Sequence, residues 1–196
     1  MLFRSKEVND WAMQLFPFTN NLSQVLQKKA DDIRTKFISP EKRILAALRF
    51  VQDDVRYMGI EMGENSHKPH PPEKVIVQRF GDCKDKSYLL CTLLRALGIE
   101  ASPVLINSGY KKIISNWLPA ATAFDHVTVK VKLNDNSFFF DPTIPYQRGS
   151  IADISYPDHQ CGLAISDSTT DLTNIPIHEK GIVKVPSGCR NGLLPL

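Results

Sequence analysis

The sequence predicts an α+β fold in which helices come first and an antiparallel sheet follows. Residues 5–56 carry apolar side chains at helical spacing, and a leucine-rich helix follows a Gly-Asp-Cys turn that ends at Cys83. Beyond Gly98 the apolar period changes from 3.6 toward 2, which is typical of strands. The 196 residues, 42% hydrophobic and 23% charged, are ordinary for a globular protein of one domain or slightly more.

Three helices are predicted within the N-terminal third. The first covers residues 5–16, and Thr19 or Asn20 is predicted to cap the second. The third has the clearest start, with Ser39 as N-cap and Pro40 at the first helical position.

A constrained loop is predicted over residues 57–72, because this stretch is rich in glycine, proline and histidine. Pro72 is predicted to open a short helix. The helix that carries the cysteine is predicted over residues 83–97, with Gly98 after its end and a wide apolar face typical of a central core helix.

The sheet is predicted from strands within residues 101–143. A strand over 101–106 is followed by a loop, 107–123, which is long enough to be a flap that faces a substrate. A hairpin follows, with Asn134 and Asp135 as its two-residue turn.

The hairpin register follows from this turn. It pairs three couples across the strands, Leu133 with Asn136, Val131 with Phe138 and Val129 with Phe140. It also sets Asp141 opposite Thr128, one diagonal step from His126 on the same face, at a Cβ separation of about 5.5–8 Å. Burial of the valine and phenylalanine side chains on one face and pairing of His126 with Asp141 on the other therefore favour the same register.

We expect residues 1–150 to form the core and residues 151–196 to form a β-rich tail. Its predicted short strands are 151–154, 162–165, 172–177 and 182–185. The tail either covers a sheet edge or begins another β domain, and we expect the chain to be a fragment of a longer protein.

Composition excludes several classes of function. The net charge of +3 comes without a Lys/Arg stripe, so no nucleic-acid partner is predicted. No apolar run is long enough for a membrane span, and the N-terminal residues do not form a signal peptide. Oligomeric state and compartment stay open, including export of the full-length protein.

Cys83 is the candidate nucleophile. At the start of a helix, unpaired backbone N–H groups and the helix dipole favour a thiolate, and Lys84 and Lys86 add positive charge. Asp82 and Asp85 would oppose the thiolate unless they turn away or pair with a lysine. A lone cysteine here is more often a small buried hydrophobic residue.

Cys83, His126 and Asp141 together predict a nucleophilic triad. His126 would pair with the sulfur, and Asp141 would orient the imidazole. The Cys83 N–H would stabilise an oxyanion, with the Tyr57 hydroxyl as a weaker candidate for the second donor. The order of the three residues and the hairpin register favour this interpretation over three unrelated structural residues.

A metal site is the weakest alternative. His67 and His70 have loose ligand spacing and could join Cys83, but Pro69 and the missing carboxylate favour a simple loop. No cysteines show CxxC spacing, so neither a zinc site nor a redox pair is predicted. We expect no metal or cofactor.

The remaining cysteines and histidines carry no predicted chemistry. Cys91 is expected in the core, and a pairing between Cys161 and Cys189 stays open. His159 and His178 are expected at the surface.

Three motifs give the chain a family resemblance. They are Gly81-Asp82-Cys83-Lys84-Asp85-Lys86, Phe124-Asp125-His126-Val127 and Phe140-Asp141-Pro142-Thr143. In this order they closely resemble the transglutaminase-like superfamily, in particular its bacterial branch, over roughly Trp11 to Ile165. The resemblance implies a papain-like fold in which the cysteine helix packs on an antiparallel sheet. It assigns the nucleophile to Cys83, the base to His126 and the orienting acid to Asp141.

The resemblance implies an enzyme that acts on peptide or protein amides through a thioester at Cys83. Relatives include proteases, amidases and crosslinking acyltransferases, so the acceptor, water or an amine, stays open. The acidic calcium loops of the animal enzymes have no match here. The rival function is a non-catalytic module that binds a peptide or protein in the same cleft.

Overall fold

The computed structural model describes residues 5–19, 21–59 and 63–177 and shows five helices packed with an antiparallel sheet. The helices are α1 (Ser5–Leu15), α2 (Gln24–Lys36), α3 (Pro40–Asp54), α4 (Pro72–Gln78) and α5 (Cys83–Ala96). The strands are β1 (Arg56–Tyr57), β2 (Phe80–Gly81), β3 (Ala101–Ile106), β4 (His126–Leu133), β5 (Asn136–Phe140), β6 (Cys161–Ala164) and β7 (Thr173–Asn174). Within the described ranges, no helix has both the length and the apolar character needed to cross a membrane.

The start of α3 confirms its sequence signal, whereas α2 begins later than predicted. Ser39 accepts a hydrogen bond from the Lys42 N–H at 3.3 Å, and Pro40 holds the first helical position. The N-cap of α2 is Ser23, so the prediction of a cap at Thr19 was wrong. The Thr19 hydroxyl instead accepts a local bond from Asn21 N at 3.1 Å, which stabilises a turn rather than a helix. The alternative cap, residue 20, lies outside the described residues.

The main sheet has five strands in the order β5-β4-β3-β6-β7, and every neighbouring pair is antiparallel. The predicted hairpin register is confirmed, since the three couples Leu133–Asn136, Val131–Phe138 and Val129–Phe140 are all paired. Asn134 has φ 54°, which an asparagine tolerates in a tight turn.

The tail contributes strands to this same sheet. β6 pairs with β3, so it lies beside the strand at the centre of the sheet, and β7 pairs with β6. Residues 151–153 form a 3-10 turn instead of the predicted strand, because a capping box between Ser150 and Asp153 closes them. Residues 182–185 lie outside the described residues, and the predicted division at residue 150 stays a prediction.

Helix α5 lies at the centre of the core. It packs against the helices α3 and α4 and against the strands β3 and β4. Leu89, Leu90, Leu93 and Leu94 are completely buried. The site residue at its N-terminus is therefore carried by the most enclosed helix of the fold.

Leu90→Ala is expected to lower the free energy of unfolding by about 2–5 kcal/mol, because it leaves a cavity beside α3 and the sheet. Leu90→Met conserves most of the volume and should cost less than about 1.5 kcal/mol. Urea denaturation of both variants measures the difference. Equal losses would contradict the central placement of α5.

Candidate active site

Cys83 is the first residue of α5, and a capping box builds the turn before it. The Asp82 carboxylate accepts the N–H groups of Lys84 and Asp85, both at 3.1 Å, and the Asp85 carboxylate accepts the Asp82 N–H at 3.3 Å. A Cβ on Gly81 would lie 2.7 Å from the Asp85 Cβ, so glycine is needed for this close approach. The parallel pairing of β1 with β2 holds Gly81 opposite Tyr57.

The two carboxylates beside Cys83 have partners of their own. Asp82 forms an ion pair with Lys84. Asp85 accepts the His70 N–H at 2.7 Å and contacts its Nδ1 at 3.1 Å. Burial raises the pKa of Asp82, and nearby Asp85 adds to this, although the bond from Lys84 opposes it. Both carboxylates therefore have partners, so neither is left as an unpaired negative charge that would oppose a thiolate at Cys83.

Most of the first-turn amides of α5 are occupied. The N–H groups of Lys84, Asp85 and Lys86 all donate to Asp82, either to its carboxylate or to its carbonyl. Among the hydrogen bonds of the described residues, none comes from the Cys83 amide. The sequence predicted several unpaired N–H groups at this helix end. Within the described residues, the Cys83 N–H is the one that remains without a hydrogen bond.

His126 and Asp141 are in direct contact. The His126 Nε2 lies 2.8 Å from the Asp141 Oδ2. The other carboxylate oxygen of Asp141 accepts the Thr143 hydroxyl at 2.6 Å and the Thr143 N–H at 2.8 Å. The β4–β5 register explains the contact, because His126 begins one strand and Asp141 follows the end of its partner.

The electrostatics of this pair favour an imidazolium. Burial opposes the charged form of His126, but the Asp141 hydrogen bond and the interaction with the Cys83 thiol outweigh it and raise the pKa to about 10. Burial also disfavours the charged form of Asp141, yet its bonds from His126 and Thr143 hold its pKa below the usual range. Both partners are therefore charged at neutral pH, which places an imidazolium beside the Cys83 side chain.

Cys83 and His126 line one small cavity of about 140 Å³. Trp11 from α1 and His67 form part of its wall, with their rings edge to face at 5.5 Å. Cys83 is 4% exposed, so its side chain is almost wholly buried in the wall of this cavity.

A larger cavity of about 480 Å³ shares Phe124 with the Cys83 cavity. Ile114, Trp117 and Leu118 of the predicted flap line it. Leu118 is largely exposed and Trp117 partly so, which leaves apolar surface beside the site. The flap is fixed at its base, where the Asp125 carboxylate accepts the N–H and hydroxyl of Ser108 at 2.7 and 3.0 Å.

The structure does not support the metal-site alternative. His70 is directed to Asp85 rather than toward Cys83, and His67 packs on Trp11. Across the three described ranges, no three His, Cys, Asp or Glu side chains are grouped so that they could hold a metal ion.

His159 corrects an expectation, since it is 6% exposed instead of lying at the surface. Its ring is 6.4 Å from that of His126 and packs edge to face on Tyr156 at 5.2 Å. Burial and the neighbouring His126 lower its pKa, so it is a neutral ring beside a charged one. His159 follows His126 by 33 residues, and no pattern in the sequence indicated that the two rings would be neighbours.

The other predicted residues fall into three groups. Cys91 is completely buried as expected, and burial raises its pKa, as it does that of Cys161. Tyr57 is about half exposed and does not line the Cys83 cavity, so its oxyanion role stays a prediction. Cys189 and His178 lie outside the described residues.

Two residues that hold the site residues in place, Thr143 and Lys86, were not predicted in these roles from the sequence. Thr143 follows Asp141 by two residues, a spacing typical of an aspartate that closes a turn on its own backbone, so a signal for it existed. Lys86 was expected to add charge near the thiol or to pair with a carboxylate, but it donates to the carbonyls of Gln52 in α3 and of Val55, the residue that follows α3. No sequence signal indicated that contact.

The chain is similar to several solved structures. The crystal structure of a "putative protease" from Parabacteroides distasonis matches with a TM-score of 0.64 and 11% identity, over 89% of this chain and 32% of that one. The periplasmic domain of TgpA from Pseudomonas aeruginosa matches with a TM-score of 0.47 and 20% identity, over 70% of this chain and 47% of that one. A "putative cysteine protease" from Cytophaga hutchinsonii matches with a TM-score of 0.40 and 19% identity, over 72% of this chain and 40% of that one. This chain thus spans less than half the length of each of the three.

The fold and the family agree. The first of these structures confirms the predicted α+β fold of helices against an antiparallel sheet. No curated protein matches the sequence. The sequence model of the transglutaminase-like superfamily matches residues 27–142, which is more than half of the chain. The protein that carries Cys83 on α5 and the His126–Asp141 pair on its β-hairpin therefore belongs to the transglutaminase-like superfamily.

Proposed function

We propose that this protein is a thiol-dependent enzyme that cleaves or transfers peptide or protein amides through a thioester on Cys83. The observation that supports it most strongly is the placement of the Cys83 thiol beside a His126 ring that Asp141 holds at 2.8 Å. A sulfur, an imidazole and an orienting carboxylate are the parts that a thiol nucleophile needs.

The acylation step follows from this arrangement. The Cys83 thiolate attacks the carbonyl carbon of the amide, and the Cys83 N–H donates to the oxyanion that forms. Tyr57 remains the candidate for a second donor. The C–N bond then breaks as the His126 imidazolium gives its proton to the leaving amine, and a thioester remains on the sulfur.

Deacylation uses the same groups in reverse. Neutral His126 takes a proton from the incoming water or amine, which attacks the thioester, and the Cys83 thiolate leaves. Water gives hydrolysis and an amine gives transamidation. The partly exposed apolar flap beside the cavity supports a peptide-sized substrate.

Alkylation of the thiols with iodoacetamide tests the proposal without a known substrate. At pH 6 an ordinary thiol with a pKa of about 8.5 is almost wholly protonated and reacts slowly. We expect Cys83 to react at least about a hundredfold faster than Cys91 and Cys161, measured by peptide mapping of the folded chain. His126→Ala should remove most of this advantage, because the imidazolium that stabilises the thiolate is gone.

A Cys83 that reacts no faster than Cys161 would contradict a nucleophilic role. The same fold would then be a module that binds a peptide or protein without chemistry.

A further inference from the structure

Lys86 attaches the cysteine helix to the end of α3. It lies three residues after Cys83, so both side chains leave the same face of α5. Its side chain is 1% exposed, and its Nζ donates to the carbonyls of Val55 at 2.6 Å and Gln52 at 3.4 Å. The last carbonyls of a helix have no partner within it, and the dipole there favours a cation.

The charge on Lys86 suits this position. Burial lowers its pKa to about 8, although the carboxylates of Asp141 and Asp53 oppose the shift. Lys86 is therefore mostly protonated at neutral pH and can donate to both carbonyls at the end of α3, those of Gln52 and Val55.

The same turn of α3 also holds the chain around Asp141. The Gln52 Nε2 donates to the Asp141 carbonyl at 3.0 Å and to the Gln147 Oε1 at 2.7 Å. The next residue, Asp53, accepts the Tyr146 N–H at 2.7 Å. The segment that follows β5 is thus bound to α3 at several points.

A third contact links the cysteine helix to the histidine strand directly. The Ser87 hydroxyl donates to the Val127 carbonyl at 2.9 Å, in the interior of the protein. Val127 follows His126, so this bond positions the start of β4 against the second turn of α5. The β4–β5 pairing connects this position to Asp141, and the α3 contacts attach the Asp141 segment to α5 a second time, through Lys86.

We propose that Lys86 and Gln52 are positioning residues that set the distance between the Cys83 thiol and the His126–Asp141 pair. We call the two side chains, together with the Val55 and Asp141 carbonyls that they bind, the α3 brace. The nucleophile and the pair that activates it lie on separate elements, and the brace fixes both against one helix end. The inference rests on the proposed function.

The test uses two variants of the full chain that keep side-chain volume. Lys86→Met removes the ammonium, and Gln52→Leu removes the bond to Asp141. Because misplacement of reacting groups by about 1 Å can cost about a hundredfold in rate, each variant should slow alkylation of Cys83 at pH 6 by roughly ten- to a hundredfold. Histidine-ring NMR should also show a lower pKa for His126.

Leu48→Ala is the matched control. Leu48 lies in α3 one turn before Gln52, is completely buried, and makes none of the brace contacts. Its loss of stability in urea should equal or exceed that of the brace variants, while its Cys83 alkylation rate stays within about twofold of wild type. The double variant Lys86→Met/Gln52→Leu should be slowed by less than the product of the two single effects, because both act through one brace.

The outcomes separate the two proposals. If Lys86→Met and Gln52→Leu lose stability as Leu48→Ala does but keep the wild-type rate of Cys83 alkylation and the wild-type pKa of His126, the positioning role of the α3 brace is wrong. If wild-type Cys83 is as slow as Cys161, the proposed function fails, and the His126 pKa still decides whether the brace acts. If Lys86→Met does not fold, Gln52→Leu and its matched control carry the test.

Discussion

Cys83→Ala is expected to abolish amide cleavage, because without the sulfur no thioester can form. In a serine-protease triad, loss of the nucleophile removes about six orders of magnitude in kcat, and we expect a loss of at least about 10³-fold here. The measurement is turnover of a peptide library, followed by mass spectrometry of the products.

The matched control is Cys91→Ala, in the same helix and completely buried. It removes a sulfur from α5 without touching the cavity, so turnover should stay within about threefold of wild type while stability falls modestly. Cys83→Ser gives a second check, since it keeps the shape of the site but replaces the thiol by a poorer nucleophile. If Cys83→Ala cleaved amides as fast as wild type, the reaction would not depend on the Cys83 sulfur.

Asp141→Asn is expected to lower the pKa of His126 from about 10 toward its ordinary value of about 6.5, because the carboxylate bond that raises it is lost. His126 would then be largely neutral at pH 7.5, and turnover should fall by about 10²–10⁴-fold, as when a triad carboxylate is removed elsewhere. Histidine-ring NMR follows the titration directly. The His159 ring should be followed in the same spectra, because both His126 and Asp141 act on its pKa.

The same variant changes how stability depends on pH. The pKa of His126 is raised in the folded protein, so the stability it contributes is present below about pH 6.5 and is lost as the pH rises toward about 10. The pKa of Asp141 is lowered, so its contribution is present above about pH 4 and is lost as the pH falls further. Asp141→Asn should flatten both slopes in urea denaturation. A difference in stability between wild type and Asp141→Asn that stays constant from pH 6.5 to 10 would contradict the assigned ionisation.

Local patterns predicted the secondary structure well where short-range physics decides it. The Ser39–Pro40 start of α3 and the β4–β5 register depend on residues within a few positions of each other, and both are confirmed. The start of α2 was misplaced because Thr19 has two local uses, as a helix cap or in a turn, and only the course of the whole chain selects one.

The candidate site shows the same division. The sequence by itself determined Cys83 at the start of α5 and the closeness of His126 to Asp141, since helix capping and strand register are local properties. The tertiary structure alone decided that the Cys83 thiol lies beside this pair, that Lys86 turns to α3, and that His159 is buried next to His126. These contacts join elements separated by 31 or more positions, and packing of the core selects them rather than the propensity of any single segment.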